Sequence, residues 1–210
     1  MGRAFSGEEK KRVKERLLSV GEELFSRFGL KKTSIEEITD TAGIGRGSFY
    51  LFFPSKEFLY IEVIEMVAER VQRSIIEQIA KNGREPEVIL KAYLNRIFRL
   101  AEENPLLKVL FSRREELDGL VDNLPRERIA SFLVNNDRVI HRTVEVMKDI
   151  GVDLDIPVET FSAMVRGFNL ITQHKEIVGS GEFDNVFTFI ADAVAGQILT
   201  GIKTKGKSRT

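Results

Sequence analysis

Cysteine and tryptophan are absent from the 210 residues, and there are only two histidines, three tyrosines and five prolines. Without cysteine the chain forms no disulfide and offers no thiolate as a metal ligand or nucleophile. That composition fits a reducing compartment and leads to the expectation of a cytoplasmic protein. No stretch approaches the roughly 18–20 consecutive apolar residues of a membrane helix. Met1 to Arg16 mixes both signs of charge and holds no apolar segment, unlike a secretory leader. His141 and His174 stand 33 residues apart with no cysteine in the chain to complete a site, and no metal and no cofactor is expected. There is no Walker-type phosphate loop and no nucleophile elbow. An enzyme is not expected; an all-helical enzyme or carrier is kept only as the competing class.

Net charge is also lacking: 32 basic residues balance 32 acidic ones. The balance is uneven along the chain. Residues 1–56 hold 11 Lys or Arg against 8 Asp or Glu, and the remaining 154 hold 21 against 24. A positive end on an acidic body suits a phosphate-binding head, because each cation placed at a phosphate releases a counterion. The difference is small and carries little by itself. Lys203, Lys205, Lys207 and Arg209 make the last stretch basic again, which reads as a polar tail.

What is present nearly everywhere is helical spacing, so the chain reads as all-α with about nine helices. Ser6 and Glu9 have capping-box spacing, and Val13, Leu17, Leu24 and Phe28 keep one apolar face up to Gly29, predicting a helix from Gly7 to Phe28. Thr33 and Glu36 form a second box that opens a short helix with Ile35, Ile38 and Ala42 inward, ending at Gly43. Arg46 to Phe52 is another short amphipathic segment; after Pro54, Ser55 can cap a long helix closed by Asn82-Gly83. Five more helices are expected over Glu85–Glu103, Leu106 to about Leu117, Arg126–Ile150, Pro157–Val178 and Glu182–Leu199, with a loop from Gly119 to Pro125. Leu107 to Phe111 has strand-like composition but no partner of similar character, and is read as buried helix.

The informative window is Thr33 to Lys56, TSIEEITDTAGIGRGSFYLFFPSK. Two short helices joined by a three-residue turn containing glycine have the helix-turn-helix arrangement. Ile38, Ile44 and Phe49 are apolar where the helices must meet each other and the first helix. Arg46, Ser48 and Tyr50 fall on a polar side suited to a major groove. Gly47 costs roughly 1 kcal/mol of helix propensity relative to alanine, which makes sense if the backbone lies close to DNA. Phe28, Phe49 and Phe53 read as core, and Lys10-Lys11-Arg12 as a solvated face. Arg46 as a mere surface charge is the competing reading at that position.

An ordered set of residues makes the likeness specific: Thr33-Ser34-Ile35, Ile38, Ala42-Gly43-Ile44, Gly47-Ser48-Phe49-Tyr50, Phe53 and Ser55-Lys56-Glu57. This resembles the N-terminal signature of the tetracycline-repressor (TetR) family over about 50 residues, including the first helix. The resemblance implies a three-helix DNA-binding domain at 1–54 and a larger helical effector-binding and dimerisation domain at 55–210. By it, Thr33 and Ser34 sit at the capped start of the second helix, with Thr33 on a phosphate. Gly45–Phe52 is the recognition helix, with Gly45, Arg46, Gly47, Ser48 and Tyr50 at the DNA, and Lys56 pairs with a phosphate at the start of the fourth helix. Two positions depart from the pattern. Thr39 replaces a usual alanine, and Phe52 replaces a usual histidine or tyrosine.

A reader of pseudo-palindromic DNA acts as a dimer, and the expected self-complementary surface is Pro157–Val178 with Glu182–Leu199. Phe183, Val186, Phe187, Ile190, Val194 and Leu199 form a broad apolar stripe, with Ala191, Ala193, Ala195 and Gly196 allowing close approach. A largely apolar effector pocket is expected among the middle helices. Its candidates are Tyr93, Ile97, Phe98, Phe111, Phe132 and Phe168, with Arg96, Asn169, Gln173 and His174 as polar handles; ordinary core is the competing reading. The functional expectation is a homodimeric repressor released from its operator by a small molecule. The alternative is the same architecture controlled by a protein partner or by DNA.

Overall fold

The computed structural model describes residues 6–82, 85–112, 114–173, 179 and 181–199. These form ten helices and no strand: α1 Gly7–Lys32, α2 Ile35–Ala42, α3 Arg46–Phe49, α4 Lys56–Asn82, α5 Pro86–Glu103, α6 Pro105–Ser112, α7 Arg114–Asn123, α8 Arg126–Asp149, α9 Val158–Gln173 and α10 Phe183–Ile198. Proline stands first in α5 and α6, where its missing N–H has no intrahelical partner to lose. Asn104 caps α6, its side-chain oxygen accepting from the Leu107 N–H at 3.1 Å. Among the described residues no helix is long and apolar enough to cross a membrane.

The strand-like run Leu107–Phe111 is helical, as expected. The stretch after it differs from expectation. Instead of one helix and a Gly119–Pro125 loop, α6 is followed by α7, which runs through Gly119 to Asn123. Burial explains the extra turns: Glu116 and Leu120, four apart on one face, are both buried, and α7 lies against α1. Residues 174–178 of the helix expected to reach Val178 lie outside the described residues.

The chain divides into two compact units, residues up to Ala68 with Asn104–Leu133, and Glu69–Glu103 with the residues from Val134 on. Packing thus groups more of the chain with the N-terminal helices than a division at residue 54 does. In the first unit α1 packs on α2, α6 and α7. Leu17, Phe25, Ile38, Phe49, Phe53, Leu59 and Tyr60 are fully or almost fully buried there, with Phe25 edge-on to Tyr60 at 4.7 Å. In the second unit α5 packs on α9 and α10 around Tyr93, Leu94, Phe161, Val165, Phe168, Phe187, Ala191 and Ala195. Small residues on α10 let it approach α5 closely, as the spacing of Ala191 and Ala195 demands.

Candidate nucleic-acid interface

The helix-turn-helix is built on the end of α1. Gly29 has φ 78° and ψ 174°, a conformation that side-chain-bearing residues avoid, and α1 kinks there and adds one more turn to Lys32. The expected stop at Phe28 agrees with the backbone angles: helical geometry breaks at the positive-φ Gly29, and a further short turn to Lys32 follows the break. Leu30 N–H, released by the kink from its intrahelical acceptor, donates to the Glu116 carboxylate of α7 at 2.6 Å. Glu116 is 1% exposed. A buried carboxylate is tolerable here because it satisfies a backbone donor that has no other partner in the helix.

Thr33 and Lys56 complete this junction, and Thr33 differs from expectation. The Thr33 side chain is 1% exposed and its hydroxyl donates to the Gly29 carbonyl at 2.7 Å, so it neither caps α2 nor faces solvent. Ser34 caps α2 instead: its hydroxyl oxygen accepts from Glu37 N–H at 3.1 Å, and Ser34 N–H donates to the Glu37 carboxylate at 2.8 Å. The capping box is one residue later than the Thr33–Glu36 spacing suggested. Both pairs obey the same rule, and burial of Thr33 under the kink selects the second. Those bonds hold the Glu37 carboxyl below the usual carboxylate range. Lys56 Nζ donates to the carbonyls of Leu30 and Thr33, each at 2.8 Å, and so pins the α1–α2 turn to the start of α4. Two of its three N–H donors are thereby used within the protein, a structural role beside the phosphate pairing that was expected.

The turn between α2 and α3 follows the sequence reading. Gly43 is left-handed at φ 65° and ψ 39°, and Ile44 N–H reaches back to the Thr39 carbonyl at 3.0 Å. Arg16 of α1, which the sequence reading passed over, donates to the Ala42 carbonyl at 3.1 Å and satisfies the exposed end of α2. Thr39 is buried and its hydroxyl donates to the Glu36 carbonyl, so the departure from alanine is absorbed within the helix. Lys14 ties α1 to α4 through Glu62 at 2.8 Å and lies over the Phe53 ring.

The reading element is shorter in strict helix than expected. α3 covers Arg46–Phe49, but bonds from Leu51, Phe52 and Phe53 N–H to the Ser48 and Phe49 carbonyls continue the turn to Phe53. Phe49 and Phe53 are buried, with ring centroids 5.8 Å apart, and anchor the element. Gly45, Arg46 and Gly47 are exposed, Ser48 and Phe52 are half-buried, and Tyr50 is 49% exposed with its ring edge-on to Phe49. A β-carbon added at Gly45 or Gly47 would meet no atom of the protein within 4 Å. Neither glycine is demanded by internal packing, so the structure brings Gly45, Arg46, Gly47 and Tyr50 together on one open face. Leu51 joins them at 69% exposure, a residue whose apolar character concealed it in the sequence.

The effector candidates are more scattered. Tyr93, Ile97 and Phe168 belong to the packed core of the second unit, where Tyr93 stacks on Phe161 at 5.9 Å and Phe168 meets Phe187 edge-on at 5.5 Å. Burial pushes the Tyr93 hydroxyl pKa up, partly offset by its hydrogen bond with Thr143. Arg96 is half-buried and paired with Glu103, and its Nε is buried with no hydrogen-bond partner. Phe132 is half-buried in the stretch of α8 that belongs to the first unit. The side chains of Phe98, Phe111, Asn169 and Gln173, and His174 as a whole, lie outside the described residues. Along α10 the outward positions include Val186, Ala193 and Phe189, the last 76% exposed.

Residues 17–63 match the family described as bacterial regulatory proteins of the tetR family. The chain is 29% identical over 164 residues to the HTH-type transcriptional regulator AcrR of Shigella flexneri, covering 77% of this chain and 76% of that protein. It is 29% identical over 130 residues to the nucleoid occlusion factor SlmA of Glaesserella parasuis, covering 59% of this chain and 61% of that protein. Among solved structures, the fatty acid degradation regulator FadR of Bacillus halodurans superimposes with a TM-score of 0.58 at 18% identity, over 96% of this chain and 99% of that one. The matched signature includes the kinked α1, the pinned turn and the open face described above. Residues 17–63 thus form a helix-turn-helix segment of the kind found in bacterial regulatory proteins of the tetR family, and the chain shares the fold of a solved TetR-family regulator from Pectobacterium atrosepticum at a TM-score of 0.64 and 16% identity.

Proposed function

We propose that the chain is a repressor that reads a pseudo-palindromic operator as a homodimer, with the head 1–54 entering successive major grooves and 55–210 carrying control. The observation that carries this reading is the open face of Gly45, Arg46, Gly47 and Tyr50, held rigid by buried Phe49 and Phe53. Backbone positions with no neighbour inside the protein suit close approach of a groove, and Arg46 supplies donors to guanine edges or phosphates. Supporting the dimer, α10 presents Val186, Phe189 and Ala193, an apolar strip of the kind that a second copy covers in a four-helix interface.

Control by a small, largely apolar ligand is supported by the unpaired Nε of Arg96 near the aromatic core, a donor that suits an acceptor on an effector. Within the first unit, Glu116 of α7 holds the kink that Lys56 in turn ties to α2, so a change reaching α7 would be felt at the head. The switch can be no larger than the effector's differential affinity for the two states. A second reading, control by a protein partner or by DNA itself, is favoured by the dense packing of Tyr93 and Phe168 among other rings and by the similarity to a nucleoid occlusion factor.

The test is binding to duplexes selected from a randomised pool, comparing the native chain with Arg46→Ala/Tyr50→Ala. Both side chains are exposed, so the fold persists while affinity for the selected duplex falls steeply. Unchanged binding overturns the assignment of this face. Lys56 is unsuitable for such a test, because its loss frees two carbonyls at the turn and disturbs the head. Screening small molecules for release of the bound duplex then separates the first reading from the second.

A further inference from the structure

Leu51 is the most exposed apolar side chain of the reading element, at 69%. Taken at about 100° per residue, Gly47 and Leu51 lie roughly 160° and 200° round from Phe49, on the side opposite the buried ring. Past Phe49 the turn tightens, since Leu51 and Phe52 N–H donate three residues back and Phe53 N–H four; the exposure of Gly47 and Leu51 places both on the open side. Gly47, one turn before Leu51, has no side chain, and no atom of the protein comes within 4 Å of where its β-carbon would stand. The result is an exposed branched apolar group near a bare stretch of backbone, with Arg46 and Tyr50 exposed to one side of it. Folding gains nothing from a leucine left in water, and its core-facing neighbours Phe49 and Phe53 already anchor the element.

We propose that Leu51 is a specificity-determining residue that reads thymine, by packing its methyl groups on a thymine 5-methyl in the major groove. The proposal rests on the reading of this face as the DNA-binding surface. The chemistry selects thymine because it is the one base that presents a methyl group on the major-groove edge, while the other bases present hydrogen-bonding atoms that leucine cannot satisfy. Gly47 permits the approach, since a β-carbon there would stand between the backbone and the base edge.

The test is a chemical double-mutant cycle. A duplex selected by the native chain is remade with each thymine in turn replaced by deoxyuridine, which removes only the methyl, and affinities are measured for the native chain and for Leu51→Ala. Burial of one methyl corresponds to about a fourfold change in affinity. The expected result is one thymine per half-site whose replacement weakens the native chain about fourfold and leaves Leu51→Ala unaffected. Leu51→Ala is expected to unfold at the native temperature, because the side chain is exposed. Equal penalties in both proteins, or no penalty at any thymine, overturn the assignment of Leu51 while DNA binding itself stands. A native chain that selects no duplex at all overturns the DNA-reading face, and the thymine contact with it.

Discussion

Gly47→Ala separates the stability of the reading element from its function. The glycine has no positive φ, and a β-carbon there meets nothing within 4 Å, so alanine fits without strain. In a helix interior alanine is favoured over glycine by about 0.5–1 kcal/mol, and at the second residue of so short a helix the lower end applies. A gain of about 0.5 kcal/mol raises the melting temperature of a chain of this size by about 1–2 °C. On the proposed reading of this face the same methyl would enter a close-packed contact with DNA, where an added carbon costs about 1–3 kcal/mol, or about fivefold to beyond a hundredfold in affinity. Thermal unfolding and fluorescence anisotropy with a selected duplex at fixed salt measure the two effects. Salt must be held constant because phosphate contacts make affinity steeply ionic-strength dependent. The reasoning fails if Gly47→Ala binds that duplex as tightly as the native chain, or if it lowers the melting temperature.

Glu116→Leu leaves the buried Leu30 N–H without an acceptor and is expected to destabilise the chain by about 1–3 kcal/mol in urea unfolding, with Glu116→Gln losing less because its amide oxygen still accepts. A native-like midpoint for Glu116→Leu refutes the role given to that bond. Phe189→Glu is expected to weaken self-association by about one to two orders of magnitude, the worth of burying a phenylalanine, with helix content unchanged. Sedimentation equilibrium checks this, and an unaltered assembly removes α10 from the interface. The Glu37 carboxyl is held low, chiefly by the Ser34 backbone bond and then by its hydroxyl. Its contribution is therefore complete above the ordinary glutamate range and is lost as pH falls below it, through the lowered folded value. Protection factors of the amides at the start of α2, referred to the intrinsic rate at each pH, should fall over that acidic window, and Glu37→Gln should flatten the dependence. Gly43→Ala must hold a left-handed conformation and is expected to cost about 1–2 kcal/mol in the same unfolding assay.

Local rules carried much of this protein in its sequence. Helical spacing identified an all-α chain, glycine at 43 announced a tight turn, and the Ser6–Glu9 box marked the start of α1 where the structure has it. These succeed because each rests on residues within four positions of one another, whose geometry is set before any tertiary contact forms. The order of small and apolar residues from Thr33 to Lys56 likewise marked the reading element without knowledge of its neighbours.

What tertiary structure decided lies in bonds between distant residues. The sequence reading made Thr33 the cap, and burial at the kink withdrew its hydroxyl in favour of Ser34, whose spacing to Glu37 is the same. Lys56 has the position of a phosphate ligand, and two carbonyls 26 and 23 residues earlier use two of its N–H donors. Glu116 carries no local sign of its task, because Leu30 is 86 residues away. Hydrogen-bond capacity is a property of a residue type, and the sequence states it; which partner fills that capacity depends on what the packed chain leaves unsatisfied. The sequence by itself marked the helix-turn-helix, and the folded chain decided which of its polar groups are used internally and which stand open to solvent.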